Sequence, residues 1–186
     1  MKYLLIITGI LWTGFVFAQA KNCDSIVWSK ERKLSWVDFR AVPDTNTKDT
    51  AQSFIRLYKK WSLRGDTLTI TILNYFKPCM AWSRSKNADT LLIHEQGHFD
   101  ISEYFRRSMI KRLSEQNFKR QTYKMEMQAI YTDIEKQQQE FIALYELKTG
   151  YSKNREIQVE WTNKIQALIE SLAVFDTTKI VKIITE

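Results

Sequence analysis

The chain has 186 residues, with 28 Lys and Arg against 21 Asp and Glu, a net charge of +7, and 44% hydrophobic residues. That is enough for one domain with a real core that needs no cofactor to fold, and too little for two. The basic residues fall in pairs among acids (Lys59-Lys60, Arg106-Arg107, Lys119-Arg120) and never in a run, which reads as solvated surface. A nucleic-acid groove is thereby excluded, and peripheral attraction to an anionic cell envelope remains open.

At the N-terminus, Lys2 precedes an apolar stretch from Tyr3 to Phe17 that ends in Ala18-Gln19-Ala20, an A-x-A cleavage pattern. Residues 1–20 therefore read as a secretory signal peptide, leaving residues 21–186 as a single domain in a secreted or periplasmic setting. The apolar stretch is short for a bilayer span of ~20 residues, and none later in the chain is long enough. An oxidising compartment makes Cys23 and Cys79, the two cysteines, a disulfide pair rather than metal ligands.

From Lys21 to Val42 the sequence is aromatic and irregular, with Trp28, Trp36 and Phe39 as core anchors and short strands expected at Ile26-Val27-Trp28 and Leu34-Ser35-Trp36. Pro43 to Lys48 is a polar loop. Two alternating runs, Ser53 to Leu63 and Thr67 to Phe76, flank Arg64-Gly65-Asp66 and predict a β-hairpin whose turn is that tripeptide.

Asn87-Ala88-Asp89-Thr90 supplies an N-cap for a helix running to about Leu113. Near its start lies His94-Glu95-Gln96-Gly97-His98, an H-E-x-x-H arrangement that holds both histidines of the chain. The two imidazoles share a 3.6-period stripe with Ile101, Phe105 and Met109, so both turn toward the interior. One buried histidine is ordinarily a satisfied core residue. Two at i and i+4 are neighbours on one face and can reach a single zinc ion at the ~2.0–2.1 Å of a zinc–nitrogen bond.

Glu95 lies about 100° round the helix from His94, badly placed to ligate and well placed to take a proton from an activated water. Zinc lowers the pKa of such a water toward ~7, so the pattern points to hydrolysis of an acyl bond. Phe99 and Asp100 can at most act from outside the ligands, Asp100 by orienting one of them. Gly97, in mid-helix, marks a close approach to the backbone by either the hairpin or a substrate.

A second helix is expected from Phe118 to Tyr145, with the stripe Tyr123, Met127, Ile130, Ile134, Phe141 and Tyr145. Gly150 ends that region, and a third helix starts at Ser152 to Asn154 with Ile157, Trp161, Ile165, Leu168 and Leu172 on one face. The tail Lys179 to Ile184 is either a last strand or a frayed end. These elements make an α+β fold: a small antiparallel sheet with an N-terminal hairpin packed on the H-E-x-x-H helix and two further long helices.

A catalytic zinc site needs a third protein ligand. The metzincin continuation fails, since Ile101 stands at its glycine and Tyr104 at its last histidine, and no third histidine exists. On Trp28, the Leu34-Ser-Trp-Val-Asp-Phe39 box, Ala51, the Leu91 to Ile101 core with Arg106 or Arg107 behind it, and Gln158 with Trp161, the chain resembles the family called domain of unknown function 922. That family is described as predicted secreted zinc-dependent proteases, so the resemblance implies a zincin-like domain, zinc as cofactor and a peptide or protein substrate. Its members carry a Y-D-x-x-T-x-H segment, which reads here Tyr145-Glu146-Leu147-Lys148-Thr149-Gly150-Tyr151.

Tyrosine thus stands where the family's histidine would be the third ligand. Tyr151 can ligate as a phenolate or donate a hydrogen bond to a reaction intermediate, and Glu146, already ionised at neutral pH, is the alternative ligand. The expected activity is that of a zinc metallopeptidase with Glu95 as general base. The alternative is a non-catalytic envelope binding or scaffold protein on a degenerate zincin fold.

Overall fold

The computed structural model describes residues 23–186, and the signal peptide expected at residues 1–20 lies outside the described residues. The expected hairpin forms the frame of the molecule: β3 (Ile55–Arg64) and β4 (Thr67–Phe76) pair antiparallel over their whole length, from Ile55 opposite Phe76 to Arg64 opposite Thr67. Gly65, with φ 56°, takes the left-handed conformation that the two-residue turn demands. The other side of β4 is shared by β1 (Ile26–Val27) at one end and β6 (Lys179–Ile183) at the other. The tail is therefore a strand. A second, two-stranded sheet pairs β2 (Ala51–Gln52) with β5 (Trp82–Ser83).

Strand β4 alternates strictly, with Leu68, Ile70, Ile72, Asn74 and Phe76 buried. Helix α1 (Asp89–Glu115) lies on that face, and α2 (Tyr123–Thr149) and α3 (Arg155–Ser171) pack on α1. The principal core joins Leu68, Ile70 and Ile72 to Ile101, Phe105 and Met109 of α1, Ile130 and Ile134 of α2, and Trp161 and Ile165 of α3. The fold is α+β. Among the described residues no helix is long and apolar enough to cross a membrane.

Several local expectations are revised. Leu34-Ser35-Trp36 is no strand: Asp38 accepts hydrogen bonds from the Ser35 amide (2.8 Å) and hydroxyl (3.0 Å), which winds Trp36–Asp38 into a 3-10 turn. The N-cap of α1 is Ala88, with no side-chain cap, so Asp89 acts only through its charge in the first turn. Helix α2 starts at Tyr123 rather than Phe118, because Lys119 is engaged in a bridge with Thr185.

The largest revision concerns Arg106-Arg107. Both are buried, because α1 is enclosed by the sheet and by the other two helices. Buried guanidinium groups require partners. Glu103 supplies them, accepting from Arg106 at 2.7 and 2.8 Å and from Arg107 at 2.9 Å, and Asp176 adds contacts at 3.2 and 2.8 Å.

The disulfide Cys23–Cys79 is present, with the two Cα atoms 5.7 Å apart. It ties the start of the described chain to the turn that leaves β4.

Candidate metal centre

Helix α1 presents His94, Glu95 and His98 at the floor of a cleft of about 620 Å³. One wall is the stretch from Lys48 to Arg56, which carries β2 and the start of β3. The opposite wall is the end of α2 and the turn Tyr151-Ser152-Lys153. The last turn of α2 runs beside the first turns of α1, which sets Glu146 opposite the two histidines.

The Glu146 carboxylate spans both imidazoles: Oε2 is 3.3 Å from Nε2 of His94, and Oε1 is 2.9 Å from Nε2 of His98. One ligand atom from each of the three residues lies within 4.8 Å of the others. Two imidazole nitrogens and one carboxylate oxygen converging in this way form a donor set that could hold a metal ion, at the floor of an open cleft. Burial alone would raise the Glu146 carboxyl, but hydrogen bonds to His94 and His98 outweigh it and bring it down to about 2. The group is thus an anion throughout the neutral range.

Behind this cluster stands Tyr145, fully buried. Its ring stacks on His94 at 4.7 Å and 11° and meets His98 edge-on at 5.2 Å. Burial pushes its phenol well above the ordinary tyrosine range, with a hydrogen bond from Gln158 opposing. The hydroxyl donates to the His94 backbone carbonyl at 3.0 Å. Gly97 makes that approach possible, since a methyl group there would lie 2.8 Å from Tyr145 Cζ and closer still to the hydroxyl. The close neighbour of Gly97 is therefore a tyrosine of α2, neither the hairpin nor a substrate.

Glu95 is buried, and its Oε2 accepts a hydrogen bond of 2.5 Å from Ser53 Oγ, at the crossing from β2 to β3. Ser53 carried no signal in the sequence beyond its place in an alternating run. Gln158 of α3 places Oε1 3.0 Å from His94 Nδ1 and donates through Nε2 to the Tyr145 hydroxyl at 2.8 Å. Thr149, also buried, has its hydroxyl 3.4 Å from the same Nδ1.

Tyr151 stands on the rim, 65% exposed, in a left-handed backbone conformation (φ 55°) shared by Ser152 (φ 70°). It lines the cleft but is not hydrogen-bonded to either histidine. Asp100 is buried on another side of α1, and its carboxylate is taken up by Trp28 Nε1 (2.7 Å), Gln96 Nε2 (2.7 Å), Gln166 Nε2 (2.6 Å) and Lys33 Nζ (3.4 Å). It orients no histidine. Its work is to fasten the N-terminal segment and α3 to α1. No family model, curated protein or solved structure matches this chain.

Proposed function

We propose that the protein is an exported zinc-dependent metallopeptidase-like hydrolase, in line with its resemblance to the family called domain of unknown function 922. The observation that supports this most is the Glu146 carboxylate spanning Nε2 of both His94 and His98 at 3.3 and 2.9 Å, on the floor of an open cleft. His94, His98 and Glu146 would hold the ion. A bound zinc ion would supply Lewis acidity toward a water molecule or a carbonyl oxygen.

The remaining roles fall to side chains of this chain. Glu95 takes the proton of the attacking water and returns it to the leaving amine, the work of a general base and then a general acid. Ser53 holds that carboxylate through its hydrogen bond. Tyr151, exposed on the rim of the cleft, donates a hydrogen bond to the oxygen on which negative charge develops. The three-donor set would comprise two imidazoles and the Glu146 carboxylate, whose charge offsets part of a divalent cation's.

The test is zinc content and affinity of the purified protein, beside hydrolysis of a mixed peptide library. Wild type should bind one zinc ion, His98→Ala should lose it, and Glu95→Gln should keep the metal while losing cleavage. Absence of zinc binding under metal-replete conditions would defeat the proposal. Zinc binding with no cleavage of any peptide by wild type would favour the non-catalytic scaffold reading instead.

A further inference from the structure

The buried contacts behind His94 form a hydrogen-bonded chain that runs from its own backbone carbonyl through Tyr145 and Gln158 back to its Nδ1. We infer that Tyr145 and Gln158 act as a directed hydrogen-bond relay that keeps His94 protonated on Nδ1 and presents its Nε2 to the metal, which makes Gln158 a positioning residue. The metal part of this inference rests on the proposed function above.

The relay begins at a group without choice. The His94 backbone carbonyl can only accept, and Tyr145 Oη lies 3.0 Å from it, so the phenol hydrogen is committed there. Tyr145 Oη can then only accept from its next neighbour. The Gln158 side-chain atom 2.8 Å away must therefore be the amide nitrogen.

That choice orients the amide and turns Oε1 toward His94 Nδ1 at 3.0 Å. A carbonyl oxygen cannot donate, so Nδ1 must carry a hydrogen. Thr149 agrees with this assignment. Its hydroxyl lies 2.8 Å from the Tyr145 carbonyl, which takes its hydrogen, so toward Nδ1 at 3.4 Å it offers only a lone pair.

With Nδ1 committed to Gln158, the nitrogen facing the cleft is Nε2, whose contact with Glu146 at 3.3 Å is the one a metal ion would take over. Tyr145 and Thr149 are 0% exposed, Gln158 1% and His94 3%, so water cannot repair a wrong assignment. Flipping the amide would set its nitrogen against the Nδ1 hydrogen and cost Tyr145 its donation to the His94 carbonyl. The three helices thus meet at one imidazole: α1 supplies it, α2 starts the relay and α3 delivers it. His98 receives no comparable side-chain hydrogen bond on Nδ1 among the described residues, which makes it an internal control.

Because the chain holds two histidines, protein labelled with ¹⁵N at histidine gives two imidazole spin systems. In metal-free wild type, His94 Nδ1 should be protonated, with a slowly exchanging hydrogen, and should remain so after zinc is added. Gln158→Leu should lose that slow hydrogen and weaken zinc binding by about 10–100-fold in competition with a chelator, the usual effect of losing a ligand's outer partner. Gln158→Glu, which keeps an acceptor oxygen at the same place, should restore both. The His98 signals should be alike in all three proteins.

An unprotonated His94 Nδ1 in wild type would overturn the inference. So would a Gln158→Leu protein with an unchanged Nδ1 hydrogen and wild-type affinity. If Gln158→Leu does not fold, Tyr145→Phe removes the start of the relay with the ring retained, and the same loss of protection and affinity is expected; no change would again overturn it. A wild type with the protonated Nδ1 and no zinc binding would defeat the metal reading and leave the relay standing.

Discussion

Tyr145 occupies the volume that a side chain at position 97 would need, so Gly97 and Tyr145 are a matched pair across the α1–α2 interface. Alanine at 97 would gain about 1 kcal/mol of helix propensity. Against that, its methyl group would stand 2.8 Å from Tyr145 Cζ, and the ring packs against His94, His98 and Trp161. Overpacking of this kind costs about 1–3 kcal/mol, to which the lost hydrogen bond to the His94 carbonyl is added. Gly97→Ala should therefore destabilise by about 1–3 kcal/mol net in urea unfolding and should lower zinc affinity with it. A stabilised Gly97→Ala protein would show that propensity wins and that the pair is not matched.

Glu146 and Tyr151 make opposite predictions as third ligand. Glu146 touches both histidines, whereas Tyr151 is 65% exposed on the rim. Glu146→Gln should weaken zinc binding by at least tenfold, since a neutral amide replaces the only anion among the three donors. Tyr151→Phe should leave zinc affinity unchanged and lower turnover by about 10²-fold, the scale of one donor to a developing oxyanion. A loss of zinc from Tyr151→Phe would transfer the ligand role to the tyrosine.

Much of this arrangement was legible in the sequence because it follows from local periodicity. The hairpin with its Gly65 turn, the inward stripe of His94, His98, Ile101, Phe105 and Met109, and Gly150 as the left-handed end of α2 all depend on spacing within one element. Features that depend on which elements meet were not. Arg106 and Arg107 look like surface charge until α1 is known to be enclosed, and only then does Glu103 become their counter-ion. Ser53 and Asp100 are similar cases: an ordinary serine in a strand run reaches Glu95 because β2 crosses to β3 there, and an acid beside His98 turns instead to Trp28 and Gln166. Glu146 stood as an alternative because one segment offered both it and Tyr151, and only the packing of α2 on α1 separates them.

Ser53 provides a test of the general-base assignment that leaves the metal ligands untouched. Its hydroxyl holds Glu95 Oε2 at 2.5 Å. Ser53→Ala should free the carboxylate to rotate and cost about tenfold in turnover, well short of the 10²–10⁴-fold carried by the base itself. Zinc affinity should not move. A Ser53→Ala protein as active as wild type would mean that the cleft, or the metal, orients Glu95 without this contact.

The disulfide closes a segment in which Cys23 and Cys79 are 56 positions apart. In the chain-entropy model a loop of that length stabilises by about 4 kcal/mol. The double variant Cys23→Ser, Cys79→Ser should unfold at correspondingly lower urea concentration, and a reductant should shift wild type toward it. The candidate metal centre of His94, His98 and Glu146 lies on other elements, so any zinc affinity of the folded variant should be retained. Unchanged stability on reduction would mean that the Trp28 to Asp100 hydrogen bond already anchors the N-terminal segment.

At high pH the buried phenols set the limit of stability. Burial pushes Tyr131 from 10.0 to about 12, so its proton stays bound in the folded chain after the unfolded chain has released it. The stabilisation from this group is therefore complete below pH 10 and is lost as the pH rises toward 12, at about 1.4 kcal/mol per pH unit within that window. Tyr145 is pushed higher still, so its share of the loss begins at the same place and continues further. Urea unfolding between pH 9 and 12 should show stability falling from pH 10 upward in wild type and falling less steeply in Tyr131→Phe. Equal slopes in the two proteins would mean that the Tyr131 hydroxyl reaches solvent in the folded state, contrary to its burial against Met127.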